Sequence, residues 1–333
     1  MKLLKDQCSY KSKFKTVNPF WIIDSHKKVL DDISKLNSRG KSYTLNTFDF
    51  STLYTSIPHS ELKHAITTLC TEVFNCNTKK FLYATTTRAY WSNKKVVPRD
   101  KTKGLCFDLS LLIKSFTYII DNIYVTFNDG VYRQIIGIPM GTDCAPLLAN
   151  LFLYHYENEW IKRLELESKD EILRHVKNNY RYIDDLLSLN DNNKFLQYLA
   201  DIYPAQMEIS KTNDSSNSAN YLDMKISIKD GKFIVMRYDK REDFNFKVIN
   251  FPHFNTNSPT NAKLGVMIGQ MLRYLEINSN VENFIKDCRE LKNKFIYLKY
   301  PKHLITSTIK KFLCKFNYKI TAKYWVSPKV NMF

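Results

Sequence analysis

A chain of 333 residues with 44% apolar and 25% charged side chains has room for one large or two modest domains, and wholesale disorder is not expected. Fifty Lys and Arg stand against 33 Asp and Glu, and the resulting charge of +17 favours a polyanionic partner, nucleic acid ahead of an anionic membrane surface. No run approaches the ~20 apolar residues of a membrane span, so no membrane partner is expected. The start, Met1-Lys-Leu-Leu-Lys-Asp, carries charge where a signal peptide needs an apolar core. Seven cysteines without a C-x₂-C pair signal neither a disulfide framework nor a zinc knuckle. They read as reduced, buried thiols of an intracellular protein, nuclear or cytoplasmic and not secreted.

Val29, Leu30, Ile33 and Leu36 fall at helical spacing and predict a helix ending near Ser38-Arg39-Gly40. Residues 43–50 are strand formers closing on Asp49-Phe50. Ser51 to Pro58 reads as a turn, followed by a helix through Leu62, Ile66, Leu69 and Val73. Residues 75–105 are polar and basic (Lys79, Lys80, Arg88, Lys94, Lys95, Arg99, Lys101, Lys103), with Tyr83, Tyr90 and Trp91 interleaved. They suit a loop over nucleic acid or a charged surface excursion. A helix over 108–121 leads to a hairpin, Tyr124–Phe127 and Val131–Ile136, turned by Asn128-Asp129-Gly130. Gly137 to Ala145 is rich in small residues before a long helix from Pro146 to Leu166, with Thr142 or Asp143 as its cap.

Tyr180-Arg181-Tyr182-Ile183 runs into Asp184-Asp185, and Leu186-Leu187-Ser188-Leu189 runs out. This reads as a hairpin with two adjacent carboxylates at its tip. A helix over 195–202 follows, then strands at 207–211, 221–228 and 232–238, with a loop at 213–220. From Thr260 the chain is helical and basic, with Phe295, Tyr297, Tyr300, Phe312, Phe316, Tyr318, Tyr324 and Trp325 among the cations. The fold class is α+β, a mixed body followed by an α-rich basic tail.

Like charges side by side repel, so an acidic pair pressed between apolar strands belongs where a cation neutralises it. Hard divalent ions take carboxylate oxygens, and two-metal phosphoryl transfer needs several converging acids. In a small antiparallel sheet Asp49 can neighbour Asp184 and Asp185, bringing three carboxylates to one edge.

The spacing around these acids resembles the reverse transcriptases of Penelope-like retroelements, relatives of telomerase. Asp49-Phe-Ser-Thr-Leu-Tyr54-Thr-Ser-Ile-Pro58 resembles the family's first catalytic motif. Gln134-Ile-Ile-Gly-Ile-Pro-Met-Gly141-Thr-Asp-Cys-Ala-Pro146-Leu-Leu-Ala-Asn150 resembles its second, and Tyr182-Ile-Asp-Asp185 its third. Tyr221-Leu-Asp223 with Lys240-Arg241 resembles the segment after it.

The resemblance implies a right-hand polymerase: a ferredoxin-like or RRM-like antiparallel palm sheet with packed helices, plus a helical thumb. Residues 1–41 would be residual fingers or a lead-in helix. Residues 42–240 would be the palm with a finger insertion at about 75–135, and 241–333 a basic thumb tracking primer and template. Asp49, the carbonyl of Phe50 and Asp184 would hold two Mg²⁺ ions, or Mn²⁺, with Asp185 assisting and Lys211 as general acid. The backbone of Ser51, Thr52, Leu53 and Tyr54 would receive a dNTP, with the Tyr54 ring as a gate against the ribose 2′-hydroxyl. Gln134, Gly137, Met140, Gly141, Tyr182, Leu222 and Asp223 would face template and primer.

The implied activity is RNA-directed DNA polymerisation, with an RNA template, a DNA primer and dNTPs as partners. The segment before Asp49 shows no recognisable finger motif, and the family's GIY-YIG endonuclease is not seen. A catalytically silent nucleic-acid-binding remnant is therefore an alternative, and an RNA-templated RNA polymerase a third.

Overall fold

The computed structural model describes residues 20–39, 44–95, 104–189, 194–246, 248–326 and 333. The lead-in to residue 19 with Cys8, and Arg99, Lys101, Lys103 and Lys329, lie outside them. In chain order the elements are α1 (Lys27–Asn37), β1 (Leu45–Phe50), α2 (Leu53–Ser56), α3 (His59–Asn75), β2 (Phe81–Ala84), β3 (Ala89–Ser92), β4 (Leu105–Phe107) and α4 (Leu109–Asp121). Then come β5 (Tyr124–Phe127), β6 (Gly130–Arg133), α5 (Ala145–Leu166), α6 (Asp170–His175), β7 (Asn179–Tyr182), β8 (Asp185–Leu189), α7 (Phe195–Ile202) and β9 (Ile209–Lys211). The chain closes with β10 (Ser218–Tyr221), β11 (Met224–Lys229), β12 (Lys232–Arg237), a 3₁₀ turn (Lys240–Asp243), α8 (Thr260–Ile277), α9 (Val281–Tyr297) and α10 (Lys302–Tyr324).

These elements form two compact units. The first holds residues 44–212 with 20–24, and the second holds 213–333 with α1. The division falls after Thr212 rather than near residue 240, so β10–β12 belong with the C-terminal helices. Asn37 ties α1 into that unit: its amide donates to the Phe233 carbonyl (2.9 Å) and accepts from the Phe233 amide (2.8 Å).

The first unit is built on a four-stranded antiparallel sheet of order β7-β8-β1-β9. Helices intervene between β1 and β7 and again between β8 and β9, which is a β-α-β-β-α-β sequence. Phe48, Phe50 and Leu186 point to one face and pack with Leu62 and Ile66 of α3, Phe152 of α5 and Phe195 of α7. α5 is buried on most sides from Ala145 to Leu164, taking His155, Glu157 and Asn158 inward with its apolar residues.

Several expectations are corrected. Residues 75–105 are no simple loop: β3-β2-β4 form a sheet, since Phe81-Leu82-Tyr83 and Ala89-Tyr90-Trp91 are strand formers and the lysines sit at its ends. The single strand expected over 221–228 is broken at Leu222, whose φ is +54°, making a hairpin in which Tyr221 pairs with Met224. α6 was not anticipated, and the second strand of the Asn128-Asp129-Gly130 hairpin stops at Arg133. Neither Thr142 nor Asp143 caps α5, which starts from Cys144 without a side-chain cap. The described cysteines are free, yet Cys76 and Cys314 are exposed and Cys288 is buried.

In the second unit, α8, α9 and α10 share a core of Met267, Met271, Phe284, Phe295, Phe312 and Ile320. Phe295, Tyr300, Phe312 and Phe316 are therefore core, while Tyr297, Tyr318 and Trp325 are exposed. Lys310, Lys311, Lys315 and Lys319 lie on the solvent side of α10. Among the described residues no helix is long and apolar enough to cross a membrane.

Candidate active site

The acid-bearing hairpin is closed by the pair Tyr182–Asp185, with Ile183 and Asp184 as its two turn residues. Asp185 in turn stands opposite Asp49, and Asp49 opposite Ser210. Directly paired residues share a face of the pleat, so Tyr182, Asp185, Asp49 and Ser210 make one row across the sheet. The row lies on the face away from Phe48 and Phe50. The Phe50 amide donates to the Asp184 carbonyl at 3.3 Å, which pins the turn beside the end of β1. The backbone thus brings Asp49, Asp184 and Asp185 to one end of the sheet.

Ile183 adopts φ +57°, a conformation that a β-branched residue takes at a cost of about 1–2 kcal/mol. Arg181 holds it there. Its Nη1 donates to the Ile183 carbonyl (3.0 Å) and to Asn150 Oδ1 (2.7 Å), and its Nη2 to the Asn150 carbonyl (3.3 Å). Nε and Nη2 form a two-pronged ion pair with Glu157 at 2.5 and 3.2 Å, where both side chains are fully buried. Tyr203 completes the set by donating to Glu157 Oε1 at 2.9 Å, and burial followed by the Glu157 charge pushes its phenol well above the usual range. Sequence reading missed this brace. Its one local signal is an Arg inside a buried strand, which demands an acid partner.

Tyr54 lies in α2. Burial, then the electrostatic influence of Asp184 and Tyr182, raises its phenol above the ordinary value. The Tyr54 carbonyl accepts from the Ile138 amide at 2.6 Å, and the Gly137 amide donates to the Ile57 carbonyl at 2.8 Å. A Cβ on Gly137, where φ is +78°, would lie 2.6 Å from the Tyr54 carbonyl oxygen and 2.9 Å from that of Thr55. The close approach that requires glycine here is therefore to the chain's own backbone. Gly141, at φ +96°, faces open space, and Met140 is 76% exposed. The Gln134 amide donates to the Ile136 carbonyl at 2.8 Å, and its Oε1 is buried without a hydrogen-bond partner.

Four expected site residues have other settings. The Ser51 amide is occupied by the Glu208 carbonyl at 3.1 Å, and those of Thr55 and Ser56 by the Thr52 carbonyl at 3.1 and 3.0 Å, which leaves the Thr52 to Tyr54 amides as the candidate donors of that segment. Lys211 pairs with Phe48, on the face opposite to Asp49, so the register does not bring it to the acids. Leu222 and Asp223 form the β10–β11 turn of the second unit. There Asp223 pairs with His26 at 3.3 Å and with Arg273. Burial opposes ionisation of Asp223, but the bonds from His26 and Arg273 prevail and hold its carboxyl below the usual range.

Three carboxylates and a backbone carbonyl are an all-oxygen donor set, the kind hard divalent ions take. Among the described residues no three His, Cys, Asp or Glu side chains converge into a finished cage. Asp49 and Asp185 also have other interactions.

An antiparallel sheet with packed helices and an acid-tipped hairpin defines a mixed α/β fold, and solved telomerase structures are similar to it in fold at low sequence identity. Telomerase from Candida albicans, solved in complex with the TWJ fragment of telomeric RNA, superimposes with a TM-score of 0.61 at 14% identity, over 99% of this chain and 54% of that one. Apo telomerase from Candida tropicalis gives 0.51 at 12% identity, covering 97% and 54%. The Candida tropicalis enzyme with the same RNA fragment gives 0.51 at 14%, covering 96% and 47%. The chain thus spans about half the length of these telomerase chains. The animal helix-turn-helix domain family matches residues 250–310, covering α8, α9 and the start of α10. No curated protein matches.

Proposed function

We propose that the chain is the core of an RNA-directed DNA polymerase of Penelope-like type, with the first unit's sheet as its palm and α8–α10 as its thumb. The observation that carries this reading is the register that sets Asp49 opposite Asp185 with the Asp184 turn pinned to Phe50. Asp49, Asp184 and the Phe50 carbonyl would hold two Mg²⁺ ions, with Asp185 orienting the turn. Bound there, the ions lower the pKa of an attacking 3′-hydroxyl and stabilise the charge of in-line displacement.

The chain's own groups do the rest. The Thr52 to Tyr54 amides would receive the incoming triphosphate, and the Tyr54 ring would occupy the space of a 2′-hydroxyl. Gly137 and Ile138 lock the Tyr54 backbone, so the gate keeps its position through the cycle. Arg181 holds the strained turn against α5. Met140 and Gly141 lie on an exposed loop suited to template and primer, and Gln134 carries a buried acceptor beside it. RNA in two of the telomerase structures agrees with nucleic acid as partner. Lys211 receives no role in this reading.

Purified protein with an RNA template, DNA primer, dNTPs and Mg²⁺ should extend the primer, and Asp184→Asn should abolish extension. Extension that survives this change removes the metal assignment. A second reading, nucleic-acid binding without incorporation, is favoured by the charge of +17 and by the helix-turn-helix match. It would prevail if salt-sensitive binding occurred with no incorporation under Mg²⁺ or Mn²⁺.

A further inference from the structure

Between α3, α4 and α5 lies a cleft of about 160 Å³ with an almost wholly apolar lining, including Leu69, Cys70 and Val73 of α3, Phe116 of α4, and Leu147 and Leu151 of α5. Burial pushes the Cys70 thiol up to about 11, so at neutral pH it stays an uncharged part of this wall. Apolar cavities on the order of 150 Å³ stay dry and take up single-ring molecules. A peptide segment needs far more room, and a charged ligand would find no partner here.

The wall on α5 has a second property. Leu147 and Leu151 are four residues apart on one face of the helix, and Asn150 sits between them in sequence. Asn150 is the residue whose side chain and carbonyl receive the Arg181 guanidinium, which in turn holds Ile183 at the acidic turn. A molecule that shifts or stiffens this stretch of α5 acts on the brace directly.

We propose that this cleft binds a small uncharged ring compound, and that its occupation is transmitted through Asn150 and Arg181 to the acid-bearing hairpin. The consequence for nucleotide transfer rests on the function proposed above; the binding and the coupling do not.

Benzene and indole are the probes, with benzoate as the charged control. Both neutral rings should raise the melting temperature saturably and show NMR contacts to the Leu147 and Leu151 methyls, and benzoate should do neither. Amide exchange across residues 179–189 should slow when the ring is bound. Cys70→Phe and Val73→Phe, which fill the cleft, should weaken apparent affinity at least about tenfold, or roughly 1.4 kcal/mol, and erase the exchange effect. The proposal is overturned if no saturable binding occurs, or if the NMR contacts lie elsewhere. It is equally overturned if the filled variants fold and bind as before, or if the ring binds while exchange in the hairpin is unchanged. Should neither variant fold, the NMR contacts and exchange in the unmodified chain decide alone.

Discussion

The molecule contains the same turn twice. Tyr182-Ile183-Asp184-Asp185 and Tyr221-Leu222-Asp223-Met224 are both hairpins closed by a Tyr pair, with an aliphatic residue at φ +57° or +54° followed by Asp. In the second unit the turn acid is engaged: it pairs with Arg273 and His26, and it anchors the hairpin to α8 and to α1's leading edge. In the first unit the charge is arranged the other way. The cation, Arg181, lies beneath the turn and bonds its backbone and Glu157, while no Lys or Arg among the described residues pairs with Asp184. Equal local chemistry thus yields an acid tied to neighbouring side chains in one place and, in the other, a turn whose neighbouring cation bonds its backbone instead. What differs is where the cations stand: on α8 facing the acid in one turn, and on the hairpin's own strand beneath the backbone in the other.

The sharpest way to break this comparison is to make one substitution in both turns. Asp184→Asn should cost primer extension several kcal/mol of transition-state stabilisation, roughly a thousandfold, with stability changed by no more than about 0.5 kcal/mol. Asp223→Asn should do the reverse. If Asp223→Asn also abolishes extension in a folded protein, the contrast between the turns is wrong.

The brace comes next. Arg181→Leu leaves Glu157 charged and buried with only Tyr203 as a donor, and loss of one partner of such a pair typically costs about 3–5 kcal/mol. Urea denaturation should show that loss, and Arg181→Leu combined with Glu157→Leu should recover most of it. A single variant within about 1 kcal/mol of the parent would mean that the brace does not hold the turn.

How far the sequence discloses this contrast depends on the range of each contact. The acid hairpin is legible because Tyr180, Tyr182 and Ile183 ahead of it and Leu186 to Leu189 behind it are strand formers around a polar tip. The core faces of β1 and α3 are legible from their spacing. The broken strand at Leu222 is not, since a Leu at positive φ has no local signature and only the packing of Asp223 explains it. The sheet β3-β2-β4 was hidden by lysines that decorate its ends. The brace joins Asn150 and Glu157 of α5, Arg181 of β7 and Tyr203 at the end of α7, and the opposite faces of Asp49 and Lys211 follow from a register that no single strand specifies. Of the candidate site, the acids and Tyr54 could be read, and what holds them could not.

The Tyr54 ring tests how the open acid is used. Its phenol is raised by burial and by Asp184, so it is neutral and adds no charge to the site at physiological pH. Tyr54→Ala should raise ribonucleotide incorporation relative to dNTP by about tenfold or more, the scale on which a pocket discriminates one small group. Tyr54→Phe should leave that ratio near the parent's, because shape and not the hydroxyl excludes the sugar. Unchanged selectivity in Tyr54→Ala would remove the gate from the first turn.

The smallest effect belongs to the engaged acid, and pH gives it a signature. The Asp223 carboxyl is held below its ordinary range in the folded chain by His26 and Arg273, against the opposing effect of burial. A depressed folded pKa means that its stabilisation is present above the unfolded value near 3.9 and is lost as pH falls through the lower folded value. Arg273 is 49% exposed, so solvent screening limits the contribution to about 1 kcal/mol or less. The parent and Asp223→Asn should therefore differ by this amount at pH 6, and the two unfolding curves should converge below about pH 4. A constant offset between the parent and Asp223→Asn down to pH 3 would show that the turn acid of the second unit is held by something other than its charge.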